Sequence, residues 1–437
     1  MTQTYDVVGI GLGPFNLGMA ALLEDVDEVD ALFLERKPSF QWHPGLLLEG
    51  TTLQVPFLAD LVTMANPKSR FSFLEYLHDI GRLYQFYFLE SFHIPRREYN
   101  DYCQWVARQL KSCSFNRTVT DVYWDEVSNQ YVIKAFYDDT ITYYYARHVV
   151  FGMGTQPTMP EWTATSTNEV LHSAEYAYKK NDMLNASSIT IVGSGQSAAE
   201  VFLDLLQEQS NYPYRLNWYT RSKGFFPMEY SKLGLEHFSP DYTSYFYQLP
   251  QSTKDDLLAQ QDLLYKGISA DTIADIYQVL YERSIGNAEL DVQMLSKTSV
   301  KDIHLQNGHL TLECYQWEQE RTFTADSDYV VAATGYENPY LGAFKGVEKD
   351  LQFDPFGRPV VNEYYDIALT SERSGKLYIQ NGEMHTHGVG APDLGLGAYR
   401  NATIINQIAG KVVYTIRSKN IFQDFGVDAT PKPSVQV

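Results

Sequence analysis

Two short glycine-rich stretches carry the first readable chemistry in this chain. Tyr5-Asp6-Val7-Val8 is a mostly apolar run leading into Gly9-Ile10-Gly11-Leu12-Gly13-Pro14, and a helix is expected to open at Pro14, where a missing N–H costs nothing. The free N–H groups and positive dipole end of such a helix suit a pyrophosphate. Gly9 reads as the tight turn and Gly11 as the point where the anion approaches the backbone. Pro14 stands in place of the third glycine of the usual fingerprint, with Gly13 just before it. The next apolar run, Ala31–Leu34, ends at Glu35, where a carboxylate accepts from a ribose 2′-hydroxyl. A second stretch, Gly193-Ser194-Gly195-Gln196-Ser197-Ala198, follows Ser188–Val192 and repeats the logic. Its following strand, Arg215–Thr220, ends in Arg221 rather than an acid, with Lys223 nearby. Cations there can pair with the 2′-phosphate of NADP, although an exposed Arg221 is also an ordinary loop charge. Two adenine dinucleotide sites are therefore expected, the second for NADPH.

The elements that must hold these turns can be laid out along the chain. Val149–Phe151 and Asp328–Ala332 are apolar strands running into glycines, as at the crossing points of two-dinucleotide flavoproteins. Residues 1–160 and 325–437 read as one discontinuous FAD-binding domain, with an NADPH-binding domain, 161–324, inserted between. The expected fold is α/β, with two Rossmann-like dinucleotide-binding domains and a small helical substrate cap at about 235–290. Within the insert, apolar residues at three- and four-residue spacing predict helices over Ser252–Leu264 and Ala270–Arg283. Residues 290–316 read as short strands with a turn at Gln306–His309. Lys376–Gln380 reads as another strand, stopped by Asn381-Gly382. A closing helix is expected from about Asp393 to Ile416, and the Pro431–Ser434 tail is expected to be disordered.

Composition narrows the partners. The 437 residues carry 34 basic and 54 acidic side chains, a net charge of −20, which leaves no basic face for nucleic acid or an anionic membrane. Cys103, Cys113 and Cys314 form neither a redox pair nor a metal-ligand spacing. No metal is expected, and the absence of a redox-active pair argues against the disulfide-reductase class. The N-terminal segment lacks the charged and apolar regions of a signal peptide, so a soluble cytoplasmic protein is expected.

Rarer pieces then select among flavoenzymes: Phe40-Gln-Trp-His-Pro-Gly45, Leu53-Gln54 with Phe57-Leu58, Phe238-Ser-Pro-Asp-Tyr242, Ala333-Thr-Gly-Tyr336 and Thr386-His-Gly388. With both glycine-rich turns, they span nearly the whole chain. The sequence resembles the microbial N-hydroxylating flavin monooxygenases, the lysine and ornithine N-hydroxylases of siderophore biosynthesis. That resemblance implies FAD and NADPH as cofactors, and molecular oxygen and a small primary amine as substrates. It also implies a C4a-hydroperoxyflavin attacked by the neutral amine. It places Trp42, His43 and Gln54 against the flavin, Thr334 and Gly335 among the cofactor-binding residues, and the segment holding Asp393 and Gly395 beside the substrate. Family members are often tetramers, which implies a homo-oligomer. His172 and Tyr176 match a His-x-x-x-Tyr signature of related enzymes, without its preceding Phe-x-Gly.

The sequence departs from the amino-acid hydroxylases at the substrate. Where their lysine pairs with the substrate carboxylate, this chain has Ala59, and where ornithine hydroxylases have an asparagine it has Leu235. A substrate without a carboxylate follows, such as the diamines putrescine and cadaverine, with histamine, lysine and ornithine as alternatives. The far ammonium of a diamine needs an acid. Asp393 is the first candidate, unless it caps the closing helix, and Glu236 and Asp241 stand behind it. Two other classes share some of these pieces: a non-hydroxylating NADPH–flavin oxidoreductase, and a non-catalytic flavin binder.

Overall fold

The computed structural model describes residues 3–138, 140–163, 168–306, 308–338 and 344–427. Two sheet layers dominate, the first mixed and the second parallel. In the first, β1 (Thr4–Ile10), β2 (Ala31–Leu34), β3 (Cys113–Ser114), β4 (Thr118–Asp125), β5 (Gln130–Tyr137) and β6 (Thr140–Phe151) lie in the order β3-β2-β1-β6-β5-β4. The β4–β5–β6 portion is an antiparallel meander, whereas β1 and β2 run parallel to each other and to the end of β6. Val7, Val8, Phe33 and Val150 are fully buried, as expected of strands covered on both faces. A two-stranded ribbon leads out of this layer, its first strand being β7 (Gln156–Pro157).

The second layer contains β8 (Val170–His172), β9 (Ser188–Val192), β10 (Arg215–Tyr219) and β11 (Val292–Leu295). An antiparallel sheet of β12 (Thr298–Gln306), β13 (His309–Gln316) and β14 (Arg321–Ser327) follows. The next strand, β15 (Tyr329–Ala332), inserts between β9 and β8, giving a fully parallel sheet ordered β11-β10-β9-β15-β8. This corrects the sequence-based boundary at 325, because the strand expected to re-enter the first layer completes the second. The ribbon strand β16 (Tyr336–Glu337) pairs with β7, and β17 (Leu377–Ile379) rejoins the first layer beside β6.

Helix α1 (Pro14–Leu23) packs its Leu17–Leu23 stretch between the first sheet and the closing helix, Gly397–Ala409, whose Ile404 and Ile405 are fully buried. The helices α2 (Phe73–Asp79), α3 (Leu83–Leu89) and α4 (Arg96–Gln109) stand on the same side. Around the second sheet lie α5 (Tyr176–Met183) and α6 (Gln196–Glu208). Phe202 of α6 stacks on Trp218 at 4.8 Å, and burying a phenylalanine contributes about 2 kcal/mol. The expected cap resolves into α7 (Lys232–Leu235), α8 (Pro240–Gln248), α9 (Gln251–Gln260), α10 (Asp262–Tyr265) and α11 (Ala270–Arg283). The predicted helix over 252–264 breaks at Gln261, and α11 packs Ile273 and Ile276 into the core of the second sheet instead of covering the cleft.

The closing helix is shorter than expected at both ends. Leu394–Leu396 form a separate 3₁₀ turn, and Gly410 ends the helix in the left-handed region at φ 63°. Asn307, at the β12–β13 turn, and the Pro431–Ser434 tail lie outside the described residues. Among the described residues no helix is long and apolar enough to cross a membrane.

Candidate active site

The first turn follows β1. Gly11, at φ 81°, makes the bend, and a Cβ there would stand 2.6 Å from the Gly152 carbonyl oxygen. Gly9 is still inside the strand, where a Cβ would strike the Phe33 ring at 2.2 Å. Gly13, at the N-terminal flank of α1, faces open space. The expected roles therefore move along by one glycine: Gly9 admits Phe33, Gly11 turns, and Gly13 leaves room for a ligand. Behind the turn, the Asn16 amide donates to the Gly11 carbonyl at 2.7 Å and accepts from Gln380 at 2.7 Å. Glu35 accepts from the backbone N–H of Leu12 at 2.8 Å and of Lys37 at 2.9 Å, one on each oxygen. Each oxygen retains a lone pair for a further donor. Pro14, Phe15, Asp60, Leu61, Tyr99, Leu394, Gly397, Ala398 and Asn401 line a small pocket where α1 and the closing helix begin. A glycine cradle, two converging helix N-termini and an acid at the end of β2 fit an adenine dinucleotide.

The second turn is built in the same way. A Cβ on Gly193 would lie 2.2 Å from the Ala333 carbonyl oxygen, so β9 and the loop after β15 meet flush. Gly195 flanks α6 with only the Lys266 carbonyl near, at 3.6 Å. The Gln196 side chain bonds to Glu200, Thr272 and the Ser269 N–H, bracing the turn against α11 and leaving its own backbone N–H in the first helical turn. Ser197 is half-buried beside it. Arg221 and Lys223 are exposed just past β10, and among the described residues neither forms an ion pair. Thr334 donates to the Thr158 carbonyl at 2.6 Å, while Gly335, at φ 89°, faces open space. His172 holds the Ala174 N–H and contacts the Gly335 carbonyl, and Tyr176 donates to Asp204. That pair thus serves as local scaffold.

Between the layers, Gly45 lies so close to the second unit that a Cβ would stand 1.7 Å from the Ala174 carbonyl oxygen. This contact presses the Trp-His-Pro-Gly segment into the cleft wall. His43 sits in the left-handed region at φ 44°, its ring 4.9 Å from Trp42 and 5.8 Å from Tyr336. The residue keeps exposed surface, yet protein packs around its ring. Desolvation, aided by Arg96 and Lys37, pushes its pKa down to about 4, which leaves it neutral.

The substrate-side residues converge on Gly395. A Cβ there would lie 2.8 Å from Asp393 Oδ1 and 3.7 Å from the Ala59 methyl. Burial raises the Asp393 pKa to about 6, opposed by the N–H groups of Gly395 and Leu396 and by Arg400. The carboxylate closes no capping bond with the 3₁₀ turn, and Leu396, not Asp393, flanks the closing helix. Of the three candidate acids, Asp393 alone is not tied to the C-terminal segment; the groups that meet its carboxylate are the N–H groups of Gly395 and Leu396. Glu236 is held by the backbone N–H groups of Phe422 and Gln423, and Asp241 by Asn420. Both therefore anchor the C-terminal segment, and Glu236 is corrected from a substrate contact to a clamp. Leu235 ends α7 and is 37% exposed. The Gln54 amide reaches Met228 Sδ at 3.8 Å, and Tyr230 donates to the Gln54 carbonyl at 2.9 Å. Tyr230 also feels the Asp393 charge. It was missed because Phe225–Ser231 follows neither helical nor strand periodicity.

Two glycine cradles, each set between a parallel strand and a helix N-terminus, define a two-dinucleotide oxidoreductase of the flavoprotein type. The chain belongs to the L-lysine 6-monooxygenase/L-ornithine 5-monooxygenase family, whose model matches residues 3–338. It is 42% identical to the putrescine N-hydroxylase of Shewanella oneidensis over 96% of this chain and 84% of that one. Among solved structures it resembles FAD-bound DfoA, the cadaverine monooxygenase of the desferrioxamine pathway of Erwinia amylovora. Identity there is 37%, coverage 98% of this chain and 100% of that one, and the TM-score 0.93. The ornithine N-hydroxylase KtzI of Kutzneria sp. 744, solved with reduced FAD, NADP⁺ and L-ornithine, is 27% identical. It covers 93% of this chain and 99% of its own, with a TM-score of 0.87.

Proposed function

We propose that this chain is an FAD- and NADPH-dependent monooxygenase that N-hydroxylates a diamine of putrescine or cadaverine size for hydroxamate siderophore biosynthesis. The observation that carries the reading is the meeting of Ala59 with the Asp393 carboxylate across Gly395. The names of its relatives from Shewanella and Erwinia support the same substrate class. In this reading the first layer, with Gly9, Gly11, Gly13, Pro14 and Glu35, holds FAD. The second layer, with Gly193, Gly195, Gln196, Ser197 and Arg221, holds NADPH. Trp42, His43, Gln54, Thr334 and Gly335 line the space between. Bound together, the two cofactors supply the reducing equivalents and the activated oxygen.

The protein's own part is to bind and to desolvate. Asp393 accepts the far ammonium, and the Ala59 methyl leaves no cation to hold a carboxylate or to compete for Asp393. Burial favours the neutral form of the near amine, whose lone pair attacks oxygen. The Gln54 amide orients groups at the junction, and neutral His43 adds no charge that would repel an ammonium. We also infer a cytoplasmic enzyme that assembles with copies of itself.

Replacing Asp393 with Asn tests this reading. The KM for putrescine should rise by roughly 10- to 100-fold, the loss of one charge-assisted hydrogen bond, with the KM for NADPH unchanged. Because Asp393 is ionised only above about 6, kcat/KM of the unaltered enzyme should fall as pH drops through that value. The Asn variant should lose that limb. An unchanged putrescine KM would contradict the assignment.

A further inference from the structure

Arg400 is one of the largest wholly buried side chains, with 1% of its surface exposed. Its guanidinium meets three different parts of the fold. One nitrogen lies 2.7 Å from Glu383, which is itself 0% exposed, as a contact of charges rather than a well-aligned hydrogen bond. Another donates to the Ala391 carbonyl at 2.7 Å, two residues before Asp393. Its plane lies 4.6 Å from the Phe15 ring centre, and Phe15 directly follows Pro14 of the first nucleotide turn. The Phe15 carbonyl is held in turn by Asn401 at 2.9 Å.

A buried pair that served stability alone would need no bond to the substrate loop, since an apolar pair of similar volume does as well or better. Here the second anchor is the backbone of the segment that presents Asp393, and the third is the turn that cradles the dinucleotide. We propose that Arg400 is a positioning residue for the N-hydroxylation: it fixes the Asp393 loop at a set distance and angle from the first nucleotide turn. This rests on the reading of Asp393 as the ammonium acceptor.

The same cation lies close enough to favour the charged form of Asp393. The other groups facing Asp393 are Tyr230 across the pocket and the N–H groups of Gly395 and Leu396. Behind Arg400 stand Glu383, Tyr365 and His387, the last held neutral by burial. Removing the arginine charge should therefore loosen the loop and make Asp393 harder to ionise.

The test uses the FAD-loaded enzyme. Glu383→Gln with Arg400→Gln removes both charges and leaves neither stranded, and Arg400→Lys keeps the charge. A lysine, with a single nitrogen in place of a planar fork, cannot hold Glu383 and the Ala391 carbonyl in the same geometry. Each variant is made with and without Asp393→Asn, and FAD content, putrescine KM, kcat, hydroxylamine formed per NADPH and the pH profile are recorded. The double Gln variant should keep FAD, raise putrescine KM about tenfold or more, and move the acid limb of kcat/KM to higher pH. Adding Asp393→Asn should raise KM no further, because both changes remove the same interaction. Arg400→Lys should keep the acid limb near its original position but form less hydroxylamine per NADPH. A folded, FAD-loaded double Gln variant with unchanged KM, or one whose effect multiplies fully with Asp393→Asn, overturns the role of Arg400. If that variant does not fold, unaltered KM and coupling in Arg400→Lys overturns it equally. No effect of Asp393→Asn alone overturns the substrate reading, and this one with it.

Discussion

At Gly395 the absence of a side chain lets Asp393 and Ala59 approach, and in the proposed reading the two residues together set which substrate end is welcome. Ala59→Lys would put an ammonium next to Asp393. It would pair with that carboxylate and repel the far ammonium of a diamine; because like charges that close cost several kcal/mol, putrescine KM should rise about tenfold or more in steady-state assays. Ornithine, whose carboxylate the new cation can pair, should become the better-used amine. An unchanged preference would show that position 59 does not face the substrate. The two positions were legible in sequence because both residues sit in segments with a recognisable motif, and the structure brings them together at Gly395. The roles of the glycines in the first turn were not, because the neighbour that limits Gly9 is Phe33, a residue from another strand. Glu236 misled for a similar reason: an acid in a loop shows its charge, but not the Phe422 and Gln423 N–H groups that occupy it.

Elements with strong local signals came out as read. Both nucleotide turns open helices at the expected positions, and α11 spans Ala270–Arg283 as its periodicity predicts. What periodicity does not encode is the partner of an apolar face. The exposed and buried stripes of α11 look the same whether it covers a cleft or packs on α6, and β15 shows the same apolar run in either sheet. One contact between layers is also ionic. Arg96, at the start of α4, meets Glu200 of α6 at 2.6 Å, with 12% and 3% of the two side chains exposed. Burial raises the Glu200 pKa, and Arg96 opposes that rise. Arg96→Ala would leave a buried carboxylate unpaired, for which about 3–5 kcal/mol of destabilisation is expected in urea unfolding. Arg96→Met with Glu200→Leu should cost much less. Equal losses in the two variants would mean that the pair matters for its shape and not for its charge.

For the whole molecule, the apolar surface that a second copy would cover lies on α3 and the loop after it. Tyr84, Tyr87, Phe88, Leu89 and Phe92 are 78%, 70%, 73%, 55% and 60% exposed. Together they leave apolar surface on the order of 600 Å² in water, near the ~800 Å² that each partner gives to a standard interface. Such a patch, poor in charge on a chain of net −20, suits a second copy of itself, which would meet it without strong repulsion. Tyr87→Glu with Phe88→Glu should lower the mass seen by light scattering after gel filtration, and an unaltered mass would place the interface elsewhere. The substrate claim is tested most directly by product. Hydroxylamine formation should be measured with FAD, NADPH and oxygen, with putrescine, cadaverine, histamine, ornithine and lysine at equal concentration. Product from the two diamines, with little or none from ornithine and lysine, is the predicted result. Ornithine or lysine as the best substrate, or NADPH oxidation with no hydroxylamine from any amine, would contradict the account.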